Sequence, residues 1–296
     1  MKVFVTGSAS RLAQVLLPQL CAHREIRSIK GVDVVSTPFK HAKLRTARLN
    51  MRSSHLPELL AGCDALIHLA FLVRPGRTAH SAMQTNNLEG SKYVFDSAKA
   101  AGIARLIHLS SAAVYGNGSN LDEHSTMQPL QGFWYAEQKA ELESWLQQAH
   151  PDALRFRPHI ILGPHAQPIL KRILRLPFYL RLPDPQPLLQ CIHEDDVARA
   201  IIKGLFGNVR GPINLAADDF FTARDVVKTH HPMSFGIPFP VAKNISQMVW
   251  LLTRRGEQPA WLEGAKKDLT LNCDRAKKLL GWNASRSSQE AIELTF

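Results

Sequence analysis

The chain is short of cysteine, of acidic residues and of long apolar runs. Its four cysteines, Cys21, Cys63, Cys191 and Cys273, are scattered through 296 residues with no close pair. That spacing argues against a disulfide framework or a metal site and fits a reducing, cytoplasmic setting. No run of about 18 or more apolar residues occurs, so no stable membrane insertion is expected. The opening residues alternate as strand and helix, unlike a secretory signal. Asp and Glu number 25 against 36 Lys and Arg, for a formal net charge of +11. This balance suits anionic ligands such as dinucleotides and serves solubility equally well. No basic stretch is interleaved with aromatics, so nucleic acid is not an expected partner. Internal repeats and low-complexity linkers are missing too.

What is present begins at the first residues. Lys2-Val3-Phe4-Val5-Thr6-Gly7 reads as a short buried strand entering a turn, and Leu12 to Leu20 follow with helical spacing of Leu and Val. A strand, a small-residue turn and a helix put backbone N–H groups where a pyrophosphate can sit. Gly7, Ser10, Arg11 and Leu12 are the candidate residues of that turn. A dinucleotide turn usually carries glycine at the position of Ser10, where the backbone approaches the phosphates. Ser10 either weakens that approach or donates a hydrogen bond to phosphate. Asp33, at the end of a second strand, can accept hydrogen bonds from an adenosine ribose and would repel a 2′-phosphate. NAD is therefore expected over NADP, although Arg11 could pair with such a phosphate.

Tyr135 and Lys139 are four apart in Trp134-Tyr135-Ala136-Glu137-Gln138-Lys139, which places them one turn apart on one helix face. A phenol ordinarily titrates near pH 10, and a neighbouring ammonium lowers that value. Such a pair can exchange a proton with a substrate hydroxyl.

Taken in order, further segments resemble the extended short-chain dehydrogenase/reductases, the group that includes the NAD-dependent epimerase/dehydratases. Asp64 to Ala70 is similar to that family's fourth strand, ending His68-Leu69-Ala70 near the cofactor. Asn87-Leu88-Glu89-Gly90-Ser91 resembles its Asn-Val-x-Gly-Thr segment. Leu106 to Gly116 resembles the strand that carries the catalytic Ser or Thr, with Ser111 at the matching position. Arg157-Pro158 through Gly163-Pro164, Ile192 to Ala198, and Asp274 to Trp282 resemble later family segments. The resemblance implies an α/β fold: a Rossmann-type doubly wound parallel sheet with a smaller, mainly C-terminal substrate-capping region. It implies Ser111, Tyr135 and Lys139 as catalytic residues. The implied NAD contacts are Gly7, Ser10, Arg11, Leu12, Asp33, Leu69, Ala70, Asn87, Tyr135 and Lys139. Asn87 would support the active-site helix. Tyr115 and Gly116 would shape the loop after the strand, and His193 and Asp196 would hold the junction with the smaller region. Residues 1–164 are expected to form the NAD-binding domain, joined again by 191–217. Residues 165–190, broken by prolines, and 218–296 are expected to form the smaller region.

The implied reaction is Tyr/Lys/Ser-assisted hydride transfer at a secondary hydroxyl, by an oxidoreductase or epimerase. A nucleotide-sugar substrate is possible within the family, but the usual Arg before the His-x-Asp-Asp segment is replaced by Leu188-Leu189-Gln190-Cys191. The Asn of Arg-Pro-x-Asn is also missing. An apolar alcohol, as in the 3β-hydroxysteroid dehydrogenase-like branch, is the alternative; a catalytically silent NAD-binding sensor is a second. Ala112 and Ala113 replace the acidic pair of the dehydratases. The resemblance also implies a homodimer through helices at about 85–101 and 134–149, with Leu142, Trp145 and Leu146 either in that contact or in the monomer core. Residues 239–255 form an amphipathic stretch ending in Arg254 and Arg255. It could rest on a membrane surface, line an apolar pocket or pack into the smaller region, with those arginines favouring its C-terminal dipole.

Overall fold

The computed structural model describes residues 1–73, 80–253 and 260–296. The chain opens with β1 (Lys2–Thr6), α1 (Arg11–Ala22), β2 (Ser28–Asp33), β3 (Leu44–Arg48), α2 (Leu56–Leu60) and β4 (Ala65–His68). Then come α3 (His80–Gln84), one π turn (Thr85–Glu89), α4 (Gly90–Ala100), β5 (Arg105–Leu109), one 3-10 turn (Ala112–Tyr115) and β6 (Gly118–Leu121). The middle holds α5 (Trp134–Ala149), β7 (Leu154–Pro158), β8 (Ile160–Leu162), α6 (Pro168–Leu174), β9 (Phe178–Arg181), β10 (Cys191–His193), α7 (Glu194–Phe206) and β11 (Gly211–Leu215). The last part holds α8 (Ala223–His230), β12 (Phe235–Pro238), α9 (Phe239–Thr253), α10 (Ala260–Gly264), β13 (Leu269–Leu271), α11 (Asp274–Leu280) and α12 (Ser288–Glu293).

Seven strands form one sheet in the order β11-β7-β5-β4-β1-β2-β3, every neighbouring pair parallel. Strands in such a sheet are covered on both faces and need apolar residues at consecutive positions. Val3, Phe4 and Val5 in β1 and Ala65, Leu66 and Ile67 in β4 meet that need, all fully buried. The side chains divide into two cores. Val3, Val5 and Ile67 pack with Leu12, Leu16 and Leu20 of α1 and Val197 and Ile201 of α7. Phe4 and Leu66 pack on the other side with Val94 and Phe95 of α4 and Leu142 and Leu146 of α5. This is the expected doubly wound α/β arrangement.

The second core decides what Leu142 and Leu146 do. Both are fully buried within the monomer, and only Trp145 among the three is partly exposed. A second copy could not seat against those two leucines. Among the described residues, no helix is long and apolar enough to cross a membrane.

The strand order reverses between β1 and β4, so a cleft opens there at the strands' carboxyl ends. Smaller parallel pairs, β8 with β10, β9 with β12 and β6 with β13, lie outside the main sheet. The last residues return to it: Leu271, Ala276, Leu280 and Trp282 belong to the same core as α1 and α7.

Asp196 holds this return. Its buried carboxylate accepts from Ser285 N at 3.0 Å, from Ser285 Oγ at 2.7 Å and from an Arg199 guanidinium N–H at 2.5 Å. The Trp282 indole donates to the Asp196 carbonyl at 2.9 Å. Asp196→Ala would strand the Ser285 and Arg199 donors and leave the Trp282 bond to the backbone carbonyl in place. Urea denaturation should show a loss of about 3 kcal/mol; a loss below about 0.5 kcal/mol would mean that water replaces the carboxylate.

Candidate active site

Helix α5 carries Tyr135 in its first turn and Lys139 in its second. The helix start is fixed by Glu137, whose carboxylate accepts from Gly132 N at 2.8 Å. Ser111 follows β5 and caps the 3-10 turn, accepting from Ala113 N at 3.2 Å. Its hydroxyl also lies close enough to the Tyr135 phenol to lower that group's pKa. Ser111, Tyr135 and Lys139 thus meet at the carboxyl end of β5, from segments about 25 residues apart in sequence.

Lys139 is 3% exposed. Its Nζ donates to the Leu109 carbonyl at 2.5 Å and lies 3.7 Å from the centre of the Phe71 ring. Burial pushes its pKa down to about 7, against the pull of Glu143. The expected effect on Tyr135 is reversed here. Burial raises the phenol's pKa and only the Ser111 hydroxyl lowers it. Burial is the cause, and Lys139, brought down to about 7, has lost its charge before a phenol titrates, although its Nζ lies only 5.9 Å from the Tyr135 ring centre.

Glu143, one turn beyond Lys139, was not among the residues singled out from sequence. It is 1% exposed and accepts from Ser110 Oγ at 2.5 Å and from Arg157 Nη2 at 2.7 Å. Arg157 Nη1 donates to Tyr115 Oη at 2.7 Å, and Tyr115 donates to Asn214 at 2.8 Å. The spacing Lys139–Glu143 on the face of Tyr135 was a usable signal, since i,i+4 neighbours share a face. Tyr115 and Gly116 shape the loop here; Gly116 has φ +74°, and a Cβ there would collide with the Gln128 carbonyl.

Asn87 lies in the π turn and is fully buried. It bonds both backbone groups of Leu72, at 2.7 and 3.0 Å, and donates to Gln138 Oε1 at 2.8 Å. It therefore ties the segment after β4 to α5. His193 caps α7 by accepting from Asp195 N at 3.2 Å, and, like Asp196, it serves the junction rather than the cleft.

The other half of the cleft is the first turn. Gly7 has φ +72°, and a Cβ there would come within 2.6 Å of Ala70 N, so only glycine lets the turn cross Leu69-Ala70. Ser10 is the N-cap of α1, with φ −64°, and its Oγ accepts from Ala13 N at 3.3 Å. That backbone is one any residue adopts, so the turn itself requires no glycine there. The amides of Arg11 and Leu12 open the helix and have no partner within it. Asp33 accepts from Ala9 N at 3.0 Å and Val35 N at 3.2 Å, holding the turn against β2. Beside it, Val34, Arg48, Leu49 and Asn50 line a cleft of about 340 Å³; of these four none was singled out from sequence. A helix N-terminus, a crossing glycine, a carboxylate and a cleft can hold the diphosphate, ribose and base of a dinucleotide.

Aromatic rings surround Tyr135. Phe71 meets it edge-on at 5.8 Å and Phe133 at 5.8 Å. Next to it, Trp134 packs on His80 at 4.4 Å and on Trp250 of α9 at 6.2 Å. Arg254 and Arg255, expected at the end of that helix, lie outside the described residues.

The model of the NAD dependent epimerase/dehydratase family matches residues 3–206, and the chain belongs to that family. A 4-hydroxy-2-methyl-3-oxo-4-farnesyl-3,4-dihydroquinoline-1-oxide ketoreductase of Stigmatella aurantiaca is 25% identical over 99% of this chain and 95% of its own. A dTDP-glucose 4,6-dehydratase of Streptomyces venezuelae, solved with NAD bound, superposes with a TM-score of 0.79 at 19% identity, over 100% of this chain and 95% of its own. A UDP-glucose 4-epimerase of Thermotoga maritima, solved with UDP-glucose, gives 0.77 at 18% identity over 100% and 97%. These two likenesses are of fold.

Lys139 provides a pH test. Its burial penalises the ammonium, so the cost to the fold is complete below about pH 7. The cost fades as pH rises toward about 10.4, where an unfolded lysine also loses its proton. The wild type should gain stability relative to Lys139→Met across that window, by at most about 1.4 kcal/mol per pH unit. Urea melts of both proteins at about pH 6.5, 8 and 9.5 measure this difference; a flat difference would contradict the burial effect.

Proposed function

We propose that this family member is an NAD-dependent oxidoreductase that interconverts a secondary alcohol and its ketone, with Tyr135 as general acid–base. The observation that carries the reading is the convergence of Ser111, Tyr135 and buried Lys139 at the carboxyl end of β5, where Lys139 Nζ is bonded to the Leu109 carbonyl. Arg11 and Leu12 would hold the cofactor's diphosphate, Asp33 its adenosine ribose, and Lys139 its nicotinamide ribose. When bound, NAD supplies the group that accepts or returns hydride at the substrate carbon.

The chain's own residues do the proton chemistry. Tyr135 Oη takes the proton of the substrate hydroxyl, or returns it to the ketone oxygen. Ser111 Oγ orients that oxygen and stabilises its developing charge. Burial raises the phenol's pKa; in ketone reduction Tyr135 acts as the proton donor, and in alcohol oxidation it acts as the acceptor. Lys139 adds positive charge only while its own burial cost is met, and the buried carboxylate of Glu143 keeps the ammonium accessible near neutral pH. Partly buried aromatic rings flank the reacting oxygen.

Those rings also bear on the substrate. Phe71, Phe133, Trp134 and Trp250 favour an apolar, ring-bearing ketone, the class to which the ketoreductase relative's named substrate belongs. A nucleotide-sugar epimerase is the second reading, favoured by the UDP-glucose-bound structure of similar fold. Assays of apolar ketones with NADH and of nucleotide sugars with NAD discriminate the two.

Calorimetry should find NAD binding more tightly than NADP, because a 2′-phosphate would meet Asp33; tighter NADP binding would mean that Arg11 or Arg48 dominates. Tyr135→Phe should leave NAD affinity within about twofold and lower turnover by roughly 10²–10⁴. A Tyr135→Phe protein with the wild-type rate would overturn the proton assignment.

A further inference from the structure

Helix α9 turns one face inward and one outward. Trp250 and Ser246 lie on the inner face, with Trp250 against Trp134 beside the candidate site. Val241, Ile245, Met248 and Leu252 recur at helical spacing on the other face, and Leu251 adjoins them. They are exposed: Met248 by 62%, Leu251 by 66% and Leu252 by 79%. Met233 and Phe235, exposed just before and within β12, extend the apolar surface toward the start of α9. An apolar surface of this extent marks a binding face.

Charge decides what covers it. Helix α9 contains no Asp or Glu, and its one cation, Lys243, is paired with Glu263. Glu263 also pairs with Lys266, and Asp184 pairs with Arg224, so the neighbouring acids are neutralised. Arg172, Arg175 and Arg181 are exposed, and Arg181 stands opposite Pro238 in the strand pair that leads into α9. A second copy would bring together two chains of net charge +11 each. An anionic surface instead meets both the apolar face and the arginines.

We propose that the outer face of α9 docks on an anionic membrane surface. The apolar residues enter the boundary between headgroups and acyl chains, and the arginines meet lipid phosphates and carboxylates. Because the inner face of the same helix touches Trp134, docking would place the aromatic-walled site next to a reservoir of apolar ketones. That last step rests on the substrate class proposed above; lipid binding does not.

Co-sedimentation of the full chain with vesicles tests it without any turnover. Two compositions serve: phosphatidylcholine alone, and phosphatidylcholine with about 30% phosphatidylserine. Wild type should sediment with the phosphatidylserine vesicles and be released at about 0.5 M salt. Ile245→Asn/Leu252→Asn removes apolar contact, and Arg172→Gln/Arg175→Gln removes charge away from α9 and from β12, to which Arg181 is bonded. Each should bind at least about tenfold more weakly, with unchanged circular dichroism. No binding to phosphatidylserine vesicles, or equal binding by all three proteins, would overturn the proposal. So would a wild-type dimer in light scattering that Ile245→Asn/Leu252→Asn converts to monomer, since the face would then take a second copy. Any of these failures would leave the alcohol–ketone chemistry standing.

Discussion

The carboxylate of Glu143, buried under α5, ties the candidate site to the sheet. It receives Ser110 at the end of β5 and Arg157 on β7, and Arg157 passes the connection through Tyr115 to Asn214 on β11. A buried ion pair of this kind adds little net stability, because desolvation offsets most of the attraction. What it gives is position. The helix cannot rotate or slide without stranding a buried charge, so Tyr135 and Lys139 are held at a fixed place over the ends of β4 and β5. Asn87 supplies the second fastening, from Gln138 of α5 to the segment that carries Phe71.

Much of this was legible in the chain. Consecutive buried residues in β1 and β4 announced a parallel sheet, and the four-residue spacing of Tyr135 and Lys139 announced a shared helix face. The segments around Ser111, Asn87 and Asp196 were placed by their ordered resemblance to family segments rather than by any local pattern of their own. The missed parts are those that depend on three-dimensional contacts. Nothing adjacent to Glu143 says that Arg157 will meet it, and nothing near Arg48 or Asn50 says that they line a cleft beside Asp33. At Ser10 the sequence leaves two outcomes, a hindered phosphate approach or a hydrogen bond to phosphate; the fold adds that its backbone is that of an ordinary helix cap and that the crossing demands glycine only at Gly7. The phenol's pKa needed the fold as well: spacing brings Lys139 to the right face, but burial of both groups decides the sign.

The aromatic ring of Phe71 adds a constraint of its own. It covers one side of the Lys139 ammonium while the Leu109 carbonyl takes another. Only part of the ammonium's donor capacity then remains for a ligand. A ligand that offers hydroxyls to Nζ would have to compete with a cation–π contact worth about 2 kcal/mol when desolvated. The same ring forms part of the apolar wall against Tyr135, so cofactor placement and substrate class are coupled through one side chain.

The central claim is that one dinucleotide reaches from the turn at Gly7 to the helix face of Tyr135 and Lys139. A crystal structure of the chain grown with NAD tests it without knowledge of the substrate. The account predicts density for the diphosphate at the amides of Arg11 and Leu12, a ribose on Asp33, and a second ribose on Lys139 with the Phe71 ring displaced. Density for the dinucleotide elsewhere, or a nicotinamide ribose remote from Lys139 with Phe71 unmoved, would contradict it.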